Sequence, residues 1–220
     1  MNRCAICHCY ADNLLCEGCR NLIRAPDYGC RCCAKPLPKP SNNDDSILCA
    51  ECRQSQPAFD QIRCAGVYQP PGSEWVMALK FSGQLHWARA MAELMTPIIA
   101  DWPVEWPLVA MPLHRKRLQK RGYNQAHEIT RLLAHTCARE VLSDILLRTQ
   151  HTAMQATLPE KQRRVNVRHA FTVNAHDLPA TVILVDDVLT TGQTLSAAAH
   201  ALKKAGVERV YGAIFLRSAG

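Results

Sequence analysis

Two adjacent carboxylates, Asp186 and Asp187, close an apolar run and are followed by Thr190, Thr191, Gly192, Gln193 and Thr194 in the string VILVDDVLTTGQT. Aspartates at the end of a strand are placed to accept hydrogen bonds from hydroxyl groups. A small-residue loop that opens a helix does the opposite, because its free amides and the positive end of the helix favour a phosphate. Thr190, Thr191 and Thr194 add hydroxyl donors, and Gly192 permits close approach or a positive φ. A sugar phosphate satisfies both halves, the loop gripping the phosphate and the carboxylates the diol. The plainer alternative is that the acids merely end a strand and the threonines cap a helix. The chain has neither G-x-x-x-x-G-K-[ST] nor G-x-G-x-x-G, so a P-loop nucleotidase and a dinucleotide fold lose their support.

A second chemistry is written in the cysteines. Eight of the twelve pair as Cys4 with Cys7, Cys16 with Cys19, Cys30 with Cys33, and Cys49 with Cys52. Two intervening residues let both thiolates of one tight turn reach the same tetrahedral Zn²⁺, so four knuckles make two four-cysteine sites. Disulfides are disfavoured in a reducing cytoplasm, and a redox dithiol accounts for one pair but not four. Spacing alone does not decide whether neighbouring or alternate knuckles share a metal; neighbours are favoured. Cys9 and Cys32 sit beside knuckle positions, and Cys64 and Cys137 read as small core residues. With few large hydrophobes in the first fifty or so residues, the metal supplies much of their stability. Residues 36–46 read as a polar loop inside the second site.

The elements that must position these groups follow from the apolar pattern. Short apolar runs alternate with helical stretches from Ile62 onward, the mark of an α/β domain with a largely parallel sheet. IRCAGVY, PLVAMPL, TVILVDD and ERVYGAIFL read as strands, the third buried on both faces. Residues 74–81, 86–100, 124–140 and 195–205 read as helices, the last stopped by Gly206 after Lys203 and Lys204. The expected division is a double zinc ribbon over residues 1–58 and a second domain over 59–220.

At 220 residues, 48% hydrophobic and 20% charged, the chain is long and apolar enough for a real core. Its net charge of +7 is uneven: residues 111–170 hold 12 Lys and Arg against 4 Asp and Glu. Such a patch suits phosphorylated ligands or nucleic acid. The first residues contain no apolar core of signal-peptide length. The most apolar later stretch, 91–113, is broken by Glu93, Asp101, Glu105 and several prolines. No membrane insertion and a cytoplasmic location are therefore expected.

VILVDDVLTTGQT resembles the 5-phosphoribosyl 1-pyrophosphate (PRPP) binding motif of type I phosphoribosyltransferases. Together with PLHRKRLQKRGYNQA, QRRVNVRHAF and the cysteine knuckles, it makes the whole chain similar to the ComF family, and within it to the type serving DNA utilization. That resemblance implies a double zinc ribbon joined to a type I phosphoribosyltransferase-like domain, a parallel sheet flanked by helices. It implies that Asp186 and Asp187 bind the ribose hydroxyls and act in any catalysis, that Leu189 belongs to the PRPP site, and that Thr190, Thr191, Gly192, Gln193 and Thr194 hold the 5′-phosphate. Arg115 and Arg117, in the loop after VAMPL, fall where this fold binds pyrophosphate. Lys80 belongs to the LKFSG stretch, and Arg121 and Asn124 to RGYNQ.

Pro112, Gly122 and Tyr123 are expected to shape the loop rather than touch ligand, and residues 162–168 to cover the site. The implied cofactors are two structural Zn²⁺ and a Mg²⁺ that arrives with PRPP. The implied setting is uptake or use of external DNA, whose machinery would supply protein partners. Three functions stay open: a phosphoribosyltransferase in nucleotide salvage, a non-catalytic binder of single-stranded DNA, and a regulator reporting PRPP to a protein partner through the ribbons. For the second, the expected contacts are Arg115, Lys116, Arg117, Lys120, Arg121, Arg163 and Arg164. Nothing in the sequence specifies an acceptor base, and aromatic stacking platforms are not evident in the basic stretch beyond Tyr123 and Phe171.

Overall fold

In the computed structural model, which describes residues 2–39, 47–149, 170–175 and 177–219, long apolar strands gather into one parallel sheet. β3 (Gln61–Val67), β4 (Leu108–Ala110), β7 (Thr181–Leu189) and β8 (Arg209–Arg217) lie in the order β3-β8-β7-β4. All three pairings are parallel, as expected of strands rich in Val, Ile and Leu that are covered on both faces. Period-two alternation sorts the side chains. Ile183, Val185, Ala213 and Phe215 enter one core, whereas Val182, Leu184, Val210 and Ile214 enter the other.

Helices cover each face. α3 (Gly72–Phe81), α4 (His86–Met95) and α6 (Gln125–Cys137) contribute to the first core. Ala88, Ala90 and Ala92 keep α4 thin on its buried side. α7 (Gln193–Lys204) covers the second face through Ala197, Ala198, Ala199 and Leu202. α5 (Arg115–Arg121) buries no residue. The short strands β5 (Leu146–Arg148) and β6 (Phe171–Val173) form a separate antiparallel pair.

The N-terminal part contains β1 (Asn2–Arg3) paired with β2 (Tyr10–Ala11), and the short helices α1 (Glu17–Arg20) and α2 (Ala50–Gln54). Its knuckles split between the two faces of the sheet. Cys4, Leu15, Cys19 and Ile23 join the first core, and Cys30, Cys33, Cys49 and Cys52 join the second. The outer edge of β3 is closed between them: Ile62 N donates to Cys32 O at 2.8 Å and Val67 N to Arg24 O at 3.1 Å. An edge strand with unpaired amides is a template for aggregation, and the ribbons remove it. The junction is tied to α7 and β8, with Ala58 N donating to Ser196 Oγ at 2.9 Å and Asp60 N to Val210 O at 2.8 Å.

Several elements differ in extent from the sequence reading. The third strand continues past the aspartates to Leu189, because Val188 and Leu189 keep their register with Leu216 and Arg217. α7 begins at Gln193 rather than 195, so Thr194 lies in its first turn. The helix expected over 86–100 ends at Met95 and tightens into a 3₁₀ turn at Thr96–Ile99 that contains Pro97. Arg115 and Arg117, expected in a loop, lie on α5. Among the described residues no helix is long and apolar enough to cross a membrane.

Candidate functional site

The tip of β7 sets the two carboxylates apart by strand geometry. Asp187 is 5% exposed, and its Oδ1 accepts a hydrogen bond from Lys80 Nζ at 2.8 Å. Its own backbone N donates to Asp186 Oδ1 at 2.9 Å. Burial, and then the neighbouring charge of Asp187, push the Asp186 carboxyl up to about 7, against the pull of Lys80 and Arg148. Lys80 reaches Asp187 from the last turn of α3. The end of that helix is fixed by the Tyr123 hydroxyl, which donates to Leu79 O.

Beyond Leu189 the chain turns at Thr190 and Thr191, both exposed, and enters α7 through Gly192 at φ 76°. That left-handed conformation is costly for any side chain. A Cβ here would also lie 3.6 Å from the Phe59 ring. Ser196 N is bonded back to Gly192 O at 2.8 Å, so the amides of Gln193, Thr194 and Leu195 precede the helical ladder. Thr190, Thr191, Gly192, Thr194 and Leu195 line the same space as Asp186 and Asp187, while Gln193 N donates to Thr191 Oγ1 at 3.5 Å.

That space is a cavity of about 750 Å³, within the range of small-molecule sites. Of the residues singled out in the sequence, Lys80, Asp186, Asp187, Leu189 and Thr190 line it, as do Thr191, Gly192, Thr194 and Arg117. Lys120 and Arg121, assigned above to nucleic acid, line it too. Arg115, Lys116 and Gln193 are not in the lining, and Arg163, Arg164 and the expected cover at 162–168 lie outside the described residues.

α5 is held by its ends: His114 Nδ1 accepts from Lys116 N at 3.2 Å, and Gly122 closes it at φ 84°. Asn124 caps α6, accepting from Ala126 N at 3.1 Å while its Nδ2 donates to Met111 O at 3.0 Å. Gly122 thus shapes the loop as expected, while Pro112 and Tyr123 also line the cavity.

Three residues at this site escaped the sequence reading. Arg148, at the end of β5, lines the cavity and its guanidinium lies 5.6 Å from the centre of the Phe171 ring. Phe81 also lines the cavity and is 69% exposed. Arg217 is buried beside the loop that follows β7, donating from Nη1 to Leu189 O at 3.2 Å and to Thr190 O. Arg148 belongs to an unremarkable local string, whereas Phe81 lies next to Lys80 in LKFSG, where the sequence reading singles out only the lysine. Only the terminal position of Arg217 on an apolar strand hinted at burial.

The knuckles assemble into two sets, Cys4, Cys7, Cys16, Cys19 and Cys30, Cys33, Cys49, Cys52, each of which could hold a metal ion. Neighbouring knuckles therefore share a site, and the alternating arrangement does not occur. A tetrahedron with Zn–S near 2.3 Å has sulfurs about 3.8 Å apart. Cys7 and Cys16 are separated by 3.6 Å, and Cys33 and Cys49 by 3.7 Å, so the donors fit zinc. In the second set all four cysteines are buried, whereas in the first Cys7 is exposed and Cys16 half-buried. Cys9 lies beside the first set, 3.3 Å from Cys7. Cys64 is a core residue and Cys137 packs partly buried against the core.

A family model for the phosphoribosyl transferase domain matches residues 154–219. Competence protein F of Haemophilus influenzae is 32% identical over 209 residues, covering 91% of this chain and 89% of its own length. The chain belongs to the ComF family. The DNA utilization protein YhgH of Salmonella typhi is 29% identical over 89% of this chain and 87% of its own. Competence protein ComFC of Streptococcus pneumoniae is 23% identical over 90% and 86%. Membership accounts for the parallel sheet flanked by helices together with two cysteine sets that fit a double zinc ribbon.

Proposed function

We propose that this ComF-family chain binds PRPP and acts in the uptake or use of extracellular DNA. One observation carries the ligand reading: the paired carboxylates Asp186 and Asp187 and the open N-terminal turn of α7 face a single cavity that cations also line. Asp186 and Asp187 hold the ribose hydroxyls, and residues 190–194 hold the 5′-phosphate. Arg117, Lys120 and Arg121 lie on the wall of that cavity, where a pyrophosphate would find its counter-charges. The DNA setting is carried by the names of the relatives, a competence protein and a DNA utilization protein. We likewise propose the division into residues 1–58 and 59–220, zinc as the metal of both cysteine sets, and a cytoplasmic location.

Mg²⁺ fits this site as a companion of the ligand. Asp187 is already paired with Lys80 at 2.8 Å, so the protein offers no free carboxylate pair for a resident cation. A magnesium on the pyrophosphate would neutralise its charge as it departs. If the domain transfers the phosphoribosyl group, a nitrogen nucleophile attacks the anomeric carbon as pyrophosphate leaves. The arginines then stabilise charge that grows on the leaving group. Titration calorimetry with PRPP, with and without Mg²⁺, tests the ligand. Base-dependent pyrophosphate release, lost in Asp187→Ala while the fold is kept, tests the chemistry. If PRPP raises the melting temperature and a panel of bases gives no turnover, the chain is a PRPP-binding protein and not an enzyme.

A second reading is favoured by α5, which buries none of its seven residues and presents Arg115, Lys116 and Lys120 to solvent beside the cavity. In it the chain binds single-stranded DNA without catalysis and senses PRPP. Affinity for a short single strand would then fall steeply with salt and be lost when Arg115, Arg117 and Arg121 are changed together.

A further inference from the structure

We infer that Phe81 is the stacking platform for a nucleobase, carried by a nucleotide or by a single strand, whose sugar phosphate points toward Asp186 and Asp187. The inference deepens the ligand reading above and rests on it. An exposed phenylalanine alone carries no such meaning, since isolated apolar side chains are common on surfaces. Its surroundings decide. Phe81 is the last residue of α3, it follows directly on Lys80, which is bonded to Asp187, and it lines the same cavity as Asp186 and Asp187.

The Arg121 guanidinium lies 5.4 Å from the ring centre and is held by its bond to Gln125. A cation thus sits against the ring, while 69% of Phe81 remains accessible. Gly83 lines the same cavity, and a Cβ placed on it would meet nothing within 4 Å, so the wall is open at that point. Lys80, Arg117, Lys120 and Arg121 supply positive charge on this side, and the acids in the lining are Asp186 and Asp187. An aromatic face amid cations is the chemistry that holds a base and its phosphates. It is poor chemistry for an apolar protein surface. Met77, one turn earlier, is also exposed but does not line the cavity, and it serves as the control.

The test uses the full zinc-loaded chain and three probes: ribose 5-phosphate, adenosine 5′-monophosphate and a short oligothymidylate, titrated against wild type, Phe81→Ala, Phe81→Trp and Met77→Ala. Phe81→Ala should weaken at least one base-containing probe about tenfold and leave ribose 5-phosphate unchanged. Phe81→Trp should keep that affinity, with its fluorescence quenched by the base. Loss confined to the monophosphate assigns the platform to a free nucleotide; loss confined to the oligothymidylate assigns it to a strand. Unchanged binding in Phe81→Ala, equal losses in Met77→Ala, or no binding of any probe overturns the inference. If ribose 5-phosphate fails to bind while the oligothymidylate binds through Phe81, the platform stands and the PRPP reading falls.

Discussion

Arg217 donates its Nε hydrogen to the carbonyl oxygen of Cys33 at 2.9 Å, which joins the last residue of β8 to a cysteine of the second metal-binding set. The same guanidinium donates to Leu189 O and Thr190 O, at the start of the loop that faces the cavity. The second cysteine set and the loop after β7 therefore share one buried cation, 4% exposed.

Replacing Arg217 with Met keeps most of the volume and removes every donor. The carbonyl oxygens of Cys33, Leu189, Thr190 and Ser218 then lose this partner, at about 1–3 kcal/mol for each one left buried and unsatisfied. The expected loss is on the order of 3 kcal/mol in stability, with faster zinc release to a chelator and weaker PRPP binding, read from denaturant midpoints, a colorimetric zinc assay and calorimetry. Arg217→Lys should recover little, because one ammonium cannot span the forked set of acceptors.

Asp186 predicts a pH dependence with a definite sign. Its folded value is raised from 3.8 to about 7, so the native state holds a proton that the unfolded chain releases. The stability this group contributes is present below about pH 4 and is lost as pH rises to about 7. Asp186→Asn removes that loss. The difference in melting temperature, variant minus wild type, should grow as pH rises from about 5 to 8, by an amount corresponding to a few kcal/mol at most. PRPP should no longer raise the melting temperature of the variant. A difference that shrinks with pH would contradict the assignment.

The two metal sets should empty at different rates. Cys7 is exposed and Cys16 half-buried, whereas Cys30, Cys33, Cys49 and Cys52 are all buried. A chelator is expected to remove one equivalent of zinc quickly and the second slowly, with the second phase coinciding with loss of tertiary structure. Cys7→Ser should abolish the fast phase and leave the slow one.

Gly192→Ala probes the loop alone. A side chain at φ 76° costs about 1–2 kcal/mol, while its Cβ would meet the Phe59 ring only at an ordinary contact distance of 3.6 Å. The variant should fold and keep both zinc ions, yet bind PRPP at least tenfold more weakly by calorimetry.

What the sequence discloses here depends on distance along the chain. The knuckles and the string 182–194 are legible because their chemistry is set by neighbours a few residues apart. α5 is not: RKRLQKR offers Leu118 as its sole apolar residue, so no hydrophobic period marks a helix that is held by His114 and Gly122 at its ends. Arg217, Arg148 and Phe81 owe their roles to strand register and to the approach of elements far apart in sequence. No local pattern encodes that approach.

β8 lies between β3 and β7, and Gln61 finds its partner in Tyr211, about 150 positions further on. During synthesis the first strand of the sheet must therefore wait for the last, an arrangement of high contact order that slows folding. The cysteine knuckles face no such delay, since each set closes over a short span of chain and can capture its ion early. Metal uptake would thus give the nascent chain a finished surface along the outer edge of β3, leaving its other edge to wait for β8 alone.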